Sequence, residues 1–409
     1  MEIFLVLFLL SGQFKAFLQF FGLQLPVDIT VLTAAIVLGI TIYKLLKKNS
    51  FITLNISFFS IGLLLLFYSW MIFSLFYSAS EEYSTEKTFY FLLNITAFSV
   101  PFFFKEFNIR LFIKAFTVGI IILAIGLLPF QYFDLLGSST DLEKGGTFSA
   151  IGGLYLTLSE YLGLIVILFM TKKAEVVFTK RLDVVVVVMV VFVMMLLGAR
   201  GPVIFALIVY ALYYLNSIHV IKFTVKKKTI WWMVMGAVFL LVAIVLMTRF
   251  EATETLLNRS IYRFTSLVKS ALFGESQDHS AHVRILLMQQ AMEGIFQNIG
   301  SFFFGYGIGS FGIISQGFDI RLYPHNMILE IWFELGLIGL ALFLAWIVFV
   351  LSELRRLPNR FITYWLLLYI FLNLMKSSSL IDIRTEFAIF ALFTVQNFLT
   401  SKEKEPAIA

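Results

Sequence analysis

Apolar residues in this chain fall into long blocks separated by short polar or basic connections. Such runs lie near residues 1–22, 28–45, 51–77, 88–104 and 111–130, and again near 151–170, 183–198, 202–218, 229–248, 326–351, 361–376 and 387–400. Each is close to the length a helix needs to cross a hydrocarbon layer roughly 30 Å thick. Lipid offers no water to a backbone N–H or C=O, so runs of this kind must close their hydrogen bonds internally as helices. The pattern therefore predicts an all-α polytopic membrane protein of about twelve transmembrane helices. The first run, Met1 to about Phe21, lacks a basic leading region and a small-residue cleavage site, so it is expected to be a retained helix.

One interval breaks the rhythm. Residues 249–325 are far longer than an ordinary connection, and such loops tend to be functional. The chain thus divides into nine helices over 1–248, a large loop over 249–325, and three more helices with a tail over 326–409. Within the loop, Ala281 to about Asn298 has helical spacing: Leu287, Met288, Ala291 and Ile295 share one face, and His282, Gln289, Glu293 and Gln297 the opposite one.

Composition agrees with the pattern. Of 409 residues, 60% are hydrophobic and 14% charged, against roughly 45–50% and 25% in a soluble domain. There are no cysteines, which excludes disulfides, thiol nucleophiles and thiolate metal sites. Alternate connections at 44–50, 105–114, 171–182, 219–228, 353–360 and the tail hold nineteen of the 31 basic residues. The cytoplasmic side keeps the positive charge, so both termini are expected there and the 249–325 loop outside. This asymmetry accounts for the formal charge of +6 without invoking nucleic acid.

Charges inside so apolar a chain need reasons. Arg284 projects from the apolar face of the loop helix between Met288 and Ile295 and requires an anion: a carboxylate of the membrane domain, or a phosphate, which its planar fork suits. Arg200 sits in the turn Gly198-Ala199-Arg200-Gly201-Pro202 between two apolar runs, where snorkelling to the headgroup layer is the bland alternative. His325 follows Pro324 and precedes an apolar helix, whose dipole would favour a neutral imidazole able to act as a general base; a capping role is the alternative. Glu330 and Glu334, four residues apart at the start of a span, imply a polar cavity or a pairing with a base such as Arg249 or Lys376. Glu330 would lie about 140° around the helix from His325 and is poorly placed to orient it. Gly307, Gly309 and Gly312 spell Gly-x-Gly-x-x-Gly without a preceding strand, and His279 and His282 form an isolated His-x-x-His near Asp278, so neither a dinucleotide nor a metal site is expected. No Walker A, His-Glu-x-x-His or Gly-x-Ser-x-Gly string occurs.

His325-Asn326-Met327-Ile328-Leu329-Glu330, followed by Glu334-Leu335-Gly336-Leu337-Ile338-Gly339-Leu340, resembles the signature that ends the large periplasmic loop of the O-antigen polymerase and O-antigen ligase superfamily. Arg200 in its Gly-Ala-Arg-Gly turn, and Arg284 followed by Gly305-Tyr306-Gly307-Ile308-Gly309, are similar to that family's arginines and glycine-rich segment. The match covers roughly residues 180–345. Where many relatives carry a tryptophan one turn after the loop arginine this chain has Met288, and around the earlier Gly-x-Phe it has Lys144 and Gly146-Thr147-Phe148 with no asparagine. The resemblance implies a C-type glycosyltransferase-like fold in the bacterial inner membrane, active on its periplasmic side. It further implies a metal-independent, inverting polymerase that needs no cofactor and acts on undecaprenyl-pyrophosphate-linked oligosaccharides as donor and acceptor. In that reading His325 is the catalytic base, Arg200 and Arg284 bind pyrophosphate, and Asn326, Glu330 and Glu334 support them. A chain-length regulator and a flippase of the same pathway are implied partners. Ligation to a lipid A core or a protein uses the same motifs, and a lipid-glycan flippase or other transporter is the alternative of another class.

Overall fold

The computed structural model describes residues 1–20, 23, 26–47, 57–103, 107–132, 154–171, 178, 180–218, 279–354, 360–376, 379–389 and 391–392. Among these there is no strand. The helices are α1 (Glu2–Phe20), α2 (Ile29–Leu46), α3 (Ser57–Ser74), α4 (Glu82–Ser99), α5 (Ile109–Tyr132), α6 (Leu154–Thr171), α7 (Lys180–Leu197) and α8 (Arg200–Ile218). Then come α9 (His279–Ile295), α10 (Ile299–Phe304), α11 (Phe311–Gln316), α12 (Met327–Leu354) and α13 (Arg360–Leu374). Helices occupy the predicted apolar runs wherever those runs are described, α3 and α4 finishing in 3-10 turns at Leu75–Tyr77 and Val100–Phe103. The expected span at 229–248, most of that at 387–400, and the first part of the large loop, 249–278, lie outside the described residues.

Two compact units divide the chain. One comprises Met1–Ser11, Val27–Ile109 and Ala281–Ala409; the other comprises Gly12–Pro26 and Arg110–Ser280. In the second unit α6 packs against α7 and α8, and Gln13 donates to the Tyr161 hydroxyl at 3.3 Å. In the first, α12 packs against α3 and α10, and Phe67, Phe91, Phe343 and Trp346 interlock with Phe98 and Phe387.

Helix α2 shows which solvent the surface expects. Its buried side is Thr30, Ala34, Val37 and Thr41, spaced three and four apart, while Leu32 (49% accessible), Ile42 (55%) and Leu46 (78%) point outward. In water this helix would be inside out. In lipid, large apolar groups gain nothing by turning inward, and small residues let helices approach closely. Five of the described helices, namely α1, α2, α3 with its 3-10 turn, α5 and α12, are long and apolar enough to cross a membrane, and α6, α7, α8 and α13 carry shorter apolar stretches. The protein is a helical membrane protein.

Helix α12 is interrupted within its apolar length. Gly336 has φ 67° and ψ −174°, a conformation open to glycine and to almost nothing else. The break strips the carbonyls just before it of their helical donors, and three groups from outside replace them. Tyr306 N–H donates to Phe333 O at 3.0 Å, Gly307 N–H to Glu334 O at 2.8 Å, and the Trp70 indole N–H to Leu335 O at 3.0 Å. Closeness is essential. A Cβ on Gly305 (φ 76°) would lie 2.5 Å from the Glu334 backbone, and one on Gly336 would lie 2.2 Å from Phe303 O.

Gly336→Ala should therefore lower the thermal midpoint of the detergent-solubilised protein markedly, since the φ strain alone is of order 1–3 kcal/mol. Gly62→Ala, in α3 where an added Cβ would meet nothing within 4 Å, should be neutral or stabilising by up to about 1 kcal/mol. Equal midpoints for the two variants would contradict this account of the break.

Candidate functional site

The candidate residues divide between the units: Arg200 belongs to the second, and Arg284, His325, Asn326, Glu330 and Glu334 to the first. Each is described within its own unit.

His325 sits just ahead of α12, and its conformation is unusual. At φ 54° it is the one non-glycine residue with positive φ among the described residues, a left-handed state that histidine enters more readily than most residues but that still costs about 1–3 kcal/mol. Asn326 caps the helix: its Oδ1 accepts from Leu329 N–H at 3.1 Å and its Nδ2 donates to Met375 O at 3.2 Å. The half-buried His325 ring packs on Tyr323, with centroids 4.6 Å apart. Desolvation pushes the Tyr323 phenol up to about 12, reinforced by Asp382 and opposed by Arg321 and Arg284.

Glu330 and Glu334 pair with a base that the sequence reading did not name. Their partner is Lys87, whose Nζ donates to Glu330 Oε1 at 2.5 Å and to both Glu334 oxygens at 2.7 Å. All three side chains are withdrawn from solvent. Glu330 also accepts from the Ser379 hydroxyl at 2.7 Å and from Leu380 N–H at 2.9 Å, and Gly309 N–H donates to Glu334. Lys87 reads as a connection residue when the apolar run is taken to begin at 88. Helix α4 in fact begins at Glu82, which puts Lys87 in its second turn. Arg249, one of the two expected partners, lies outside the described residues.

Asp319 explains that early start. Its carboxylate accepts from the Ser80 hydroxyl at 2.6 Å and from the N–H groups of Glu81 and Glu82 at 3.0 Å, serving from a distant segment the role an N-cap residue usually serves locally. Partial burial pushes its pKa upward, but these hydrogen bonds outweigh that and hold it below the ordinary carboxylate value.

The predicted amphipathic helix of the loop is α9, and its Leu287, Ala291 and Ile295 pack on Phe311, Leu322 and Phe333. Met288, expected on the same face, is only half-buried. Arg284, half-buried one turn before Met288, has no carboxylate and no hydrogen-bond partner among the described residues. Its charge acts on Tyr323, the residue whose ring meets that of His325 at a tilt. Arg200 is the first residue of α8, half-buried, and follows the expected turn, with Gly198 at φ 68°. The glycines of the Gly-x-Gly-x-x-Gly string serve backbone docking: Gly307 lies against Ser78 and Gly309 against Ser84. Among the described residues no three His, Asp or Glu side chains gather in a way that suits a metal ion; His282 is exposed and Asp278 lies outside them.

Residues 184–344 match a family model described as O-antigen ligase. That stretch, less than half of the chain, is similar to the O-antigen ligase family. Members of that family are glycosyltransferase-like enzymes, polymerases or ligases. The search of curated proteins finds no match. The matched stretch takes in Arg200, Arg284, His325, both glutamates and the break at Gly336, whereas Lys87 lies outside it.

Two residues of the site escaped sequence reasoning. Tyr323 left a signal, because residues i and i+2 of an extended stretch point the same way and Pro324 keeps this one extended. Lys87 left one too: Ser84, Lys87, Thr88, Phe91 and Asn94 repeat at helical spacing and are all buried, a polar stripe turned inward within an apolar neighbourhood.

A carboxylate with a depressed pKa contributes stability that is fully present above its unfolded value and is lost as pH falls through the folded one. The thermal midpoint of wild type should therefore exceed that of Asp319→Asn near neutrality, and the gap should hold down to about pH 5 and shrink as the pH falls below about 4. A gap independent of pH would rule out the carboxylate as its source.

Proposed function

We propose that this protein is a polysaccharide polymerase that transfers glycan from an undecaprenyl-pyrophosphate donor to a sugar hydroxyl of a lipid-linked repeat unit. In this reading it has twelve spans with both termini cytoplasmic and works on the periplasmic side of the bacterial inner membrane; a C-terminal reporter active only in the periplasm would contradict that topology. One observation carries the functional reading: within the stretch that matches the ligase family, Arg284 is a half-buried guanidinium with no acidic partner among the described residues, and its charge acts on the tyrosine whose ring contacts His325.

The chemistry follows from these groups. The acceptor oxygen attacks the anomeric carbon, the bond from that carbon to the donor phosphate breaks, and the centre inverts. His325 takes the hydroxyl proton, while the departing pyrophosphate gathers negative charge that Arg284 and Arg200 neutralise without a metal. Arg200 brings an advantage of place, since the N–H groups at the start of α8 attract an anion as well. Glu330 and Glu334 are poor bases in this scheme, because Lys87 and backbone donors already occupy them.

Ligation of a finished chain to lipid A core or protein is the second reading, favoured by the description of the matched family. A deletion strain separates the two. Loss of long chains with one repeat unit still attached marks a polymerase, whereas full-length chains stranded on the carrier mark a ligase. A flippase would leave repeat units on the cytoplasmic side.

Purified protein with synthetic lipid-linked repeat units should extend them. His325→Ala should lower turnover by about 10²- to 10⁴-fold with donor binding retained. His325→Asn tolerates the left-handed backbone and should lose as much, which separates chemistry from strain. Arg284→Lys should be nearly as damaging as Arg284→Ala, since the charge survives and the bidentate fork does not. Chain growth by a well-expressed His325→Asn protein at the wild-type rate would sink the assignment.

A further inference from the structure

We propose that Lys87 is a positioning residue, fixing through Glu330 and Glu334 the half-helix that carries His325 at its head. The inference rests on the assignment of His325 as base.

Its physical basis is the separation of α12 into two pieces. From Met327 to Leu335 the chain is a short helix that ends at the Gly336 break, so the helix beyond the break does not continue its hydrogen-bond ladder. Its hold comes from side chains and from backbone donors at its lower end. At the top, Asn326 is tied to Met375 O. One and two turns below, both carboxylates converge on a single ammonium from α4, and Glu330 is tied as well to Ser379 and Leu380. Glu330 and Glu334 lie on one face of this helix and their oxygens close on Nζ from two levels, which fixes its rotation and height together with Phe333 in the α9 core and the Trp332 indole N–H, which donates to Phe302 O at 3.2 Å. Lys87 is in turn held by its own helix, whose start Asp319 caps from the loop. The Lys87 ammonium also lies over the Tyr83 ring, 5.8 Å from its centre.

An apolar stem could fill this space without charges. Replacing a buried ion cluster by neutral groups of similar volume is often harmless to stability, whereas removing one member is not. The informative variant is therefore the triple replacement Lys87→Met, Glu330→Gln, Glu334→Gln, in which the amide oxygen at 330 can accept from Leu380 N–H while its NH2 donates to the Ser379 hydroxyl, and the amide oxygen at 334 can accept from Gly309 N–H. We expect it to be extracted at wild-type levels with a similar melting temperature. Its kcat for elongation of lipid-linked repeat units should fall more than tenfold, with KM for the donor within about twofold of wild type. Lys87→Arg, which keeps a cation between the carboxylates, should recover part of the loss. A triple variant that is folded and elongates at the wild-type kcat would overturn the proposal.

Modification by diethyl pyrocarbonate, read at His325 by mass spectrometry, reports position without depending on turnover. Release of the half-helix should change the rate at His325 several-fold in the triple variant while His282 keeps its rate. If wild type fails to extend repeat units, the functional reading falls and this measurement alone decides: a changed rate at His325 upholds the positioning role and an unchanged rate ends it.

Discussion

A carbonyl oxygen that loses its helical partner inside a bilayer has no water to turn to, and the first unit of this protein is arranged around three such oxygens. The break at Gly336 exposes Phe333 O, Glu334 O and Leu335 O, and each finds a donor on another element. Because two of the donors are backbone N–H groups of Tyr306 and Gly307, the large loop must dip against the span, and only glycines let it come so near. The same loop then reaches the α3–α4 connection: Ile308 N–H donates to the Ser74 hydroxyl and Ile308 O accepts from that of Ser78. A single requirement for hydrogen-bond closure thus sets the depth of the loop, the path of the connection and the start of α4.

The ion trio follows a different rule. Two carboxylates facing one ammonium carry a formal charge of −1 in a place shut off from solvent, and burying ions is seldom the way to gain stability. What such a cluster supplies is discrimination. An apolar contact between α4 and α12 tolerates sliding and rotation, while two glutamates one turn apart meet a single lysine in one arrangement. The exposed Arg321–Asp382 pair nearby, with side chains 49% and 36% accessible, has the opposite character and contributes little.

Much of this is legible in the sequence. Apolar run length locates the helices, because in lipid the requirement is local: every segment must satisfy its own backbone. The loop helix is legible for the same kind of reason, since the spacing of Leu287, Ala291 and Ile295 is a property of one stretch of chain. Pro324 marks His325 and Asn326 as the start of a helix. What sequence does not display is whatever depends on two distant segments meeting. Lys87 reads as part of a connection because Glu81, Glu82 and Glu86 mask the beginning of α4, and its true start relies on Asp319, more than two hundred residues later. The left-handed backbone of His325 and the use of the glycine string to close a helix break are likewise products of docking. The turn at Gly198 is legible too, although Arg200, read as part of it, is the first residue of α8.

The distance along the chain between Lys87 and Glu330, 243 residues, also bears on how the protein is made. At a synthesis rate of roughly 5–20 residues per second, the lysine leaves the ribosome some 12 to 50 seconds before its first counter-ion exists. Throughout that interval Lys87 exists without either of the buried carboxylates it will meet. The contact that ties α4 to α12 is therefore closed late, after about four fifths of the chain has been made.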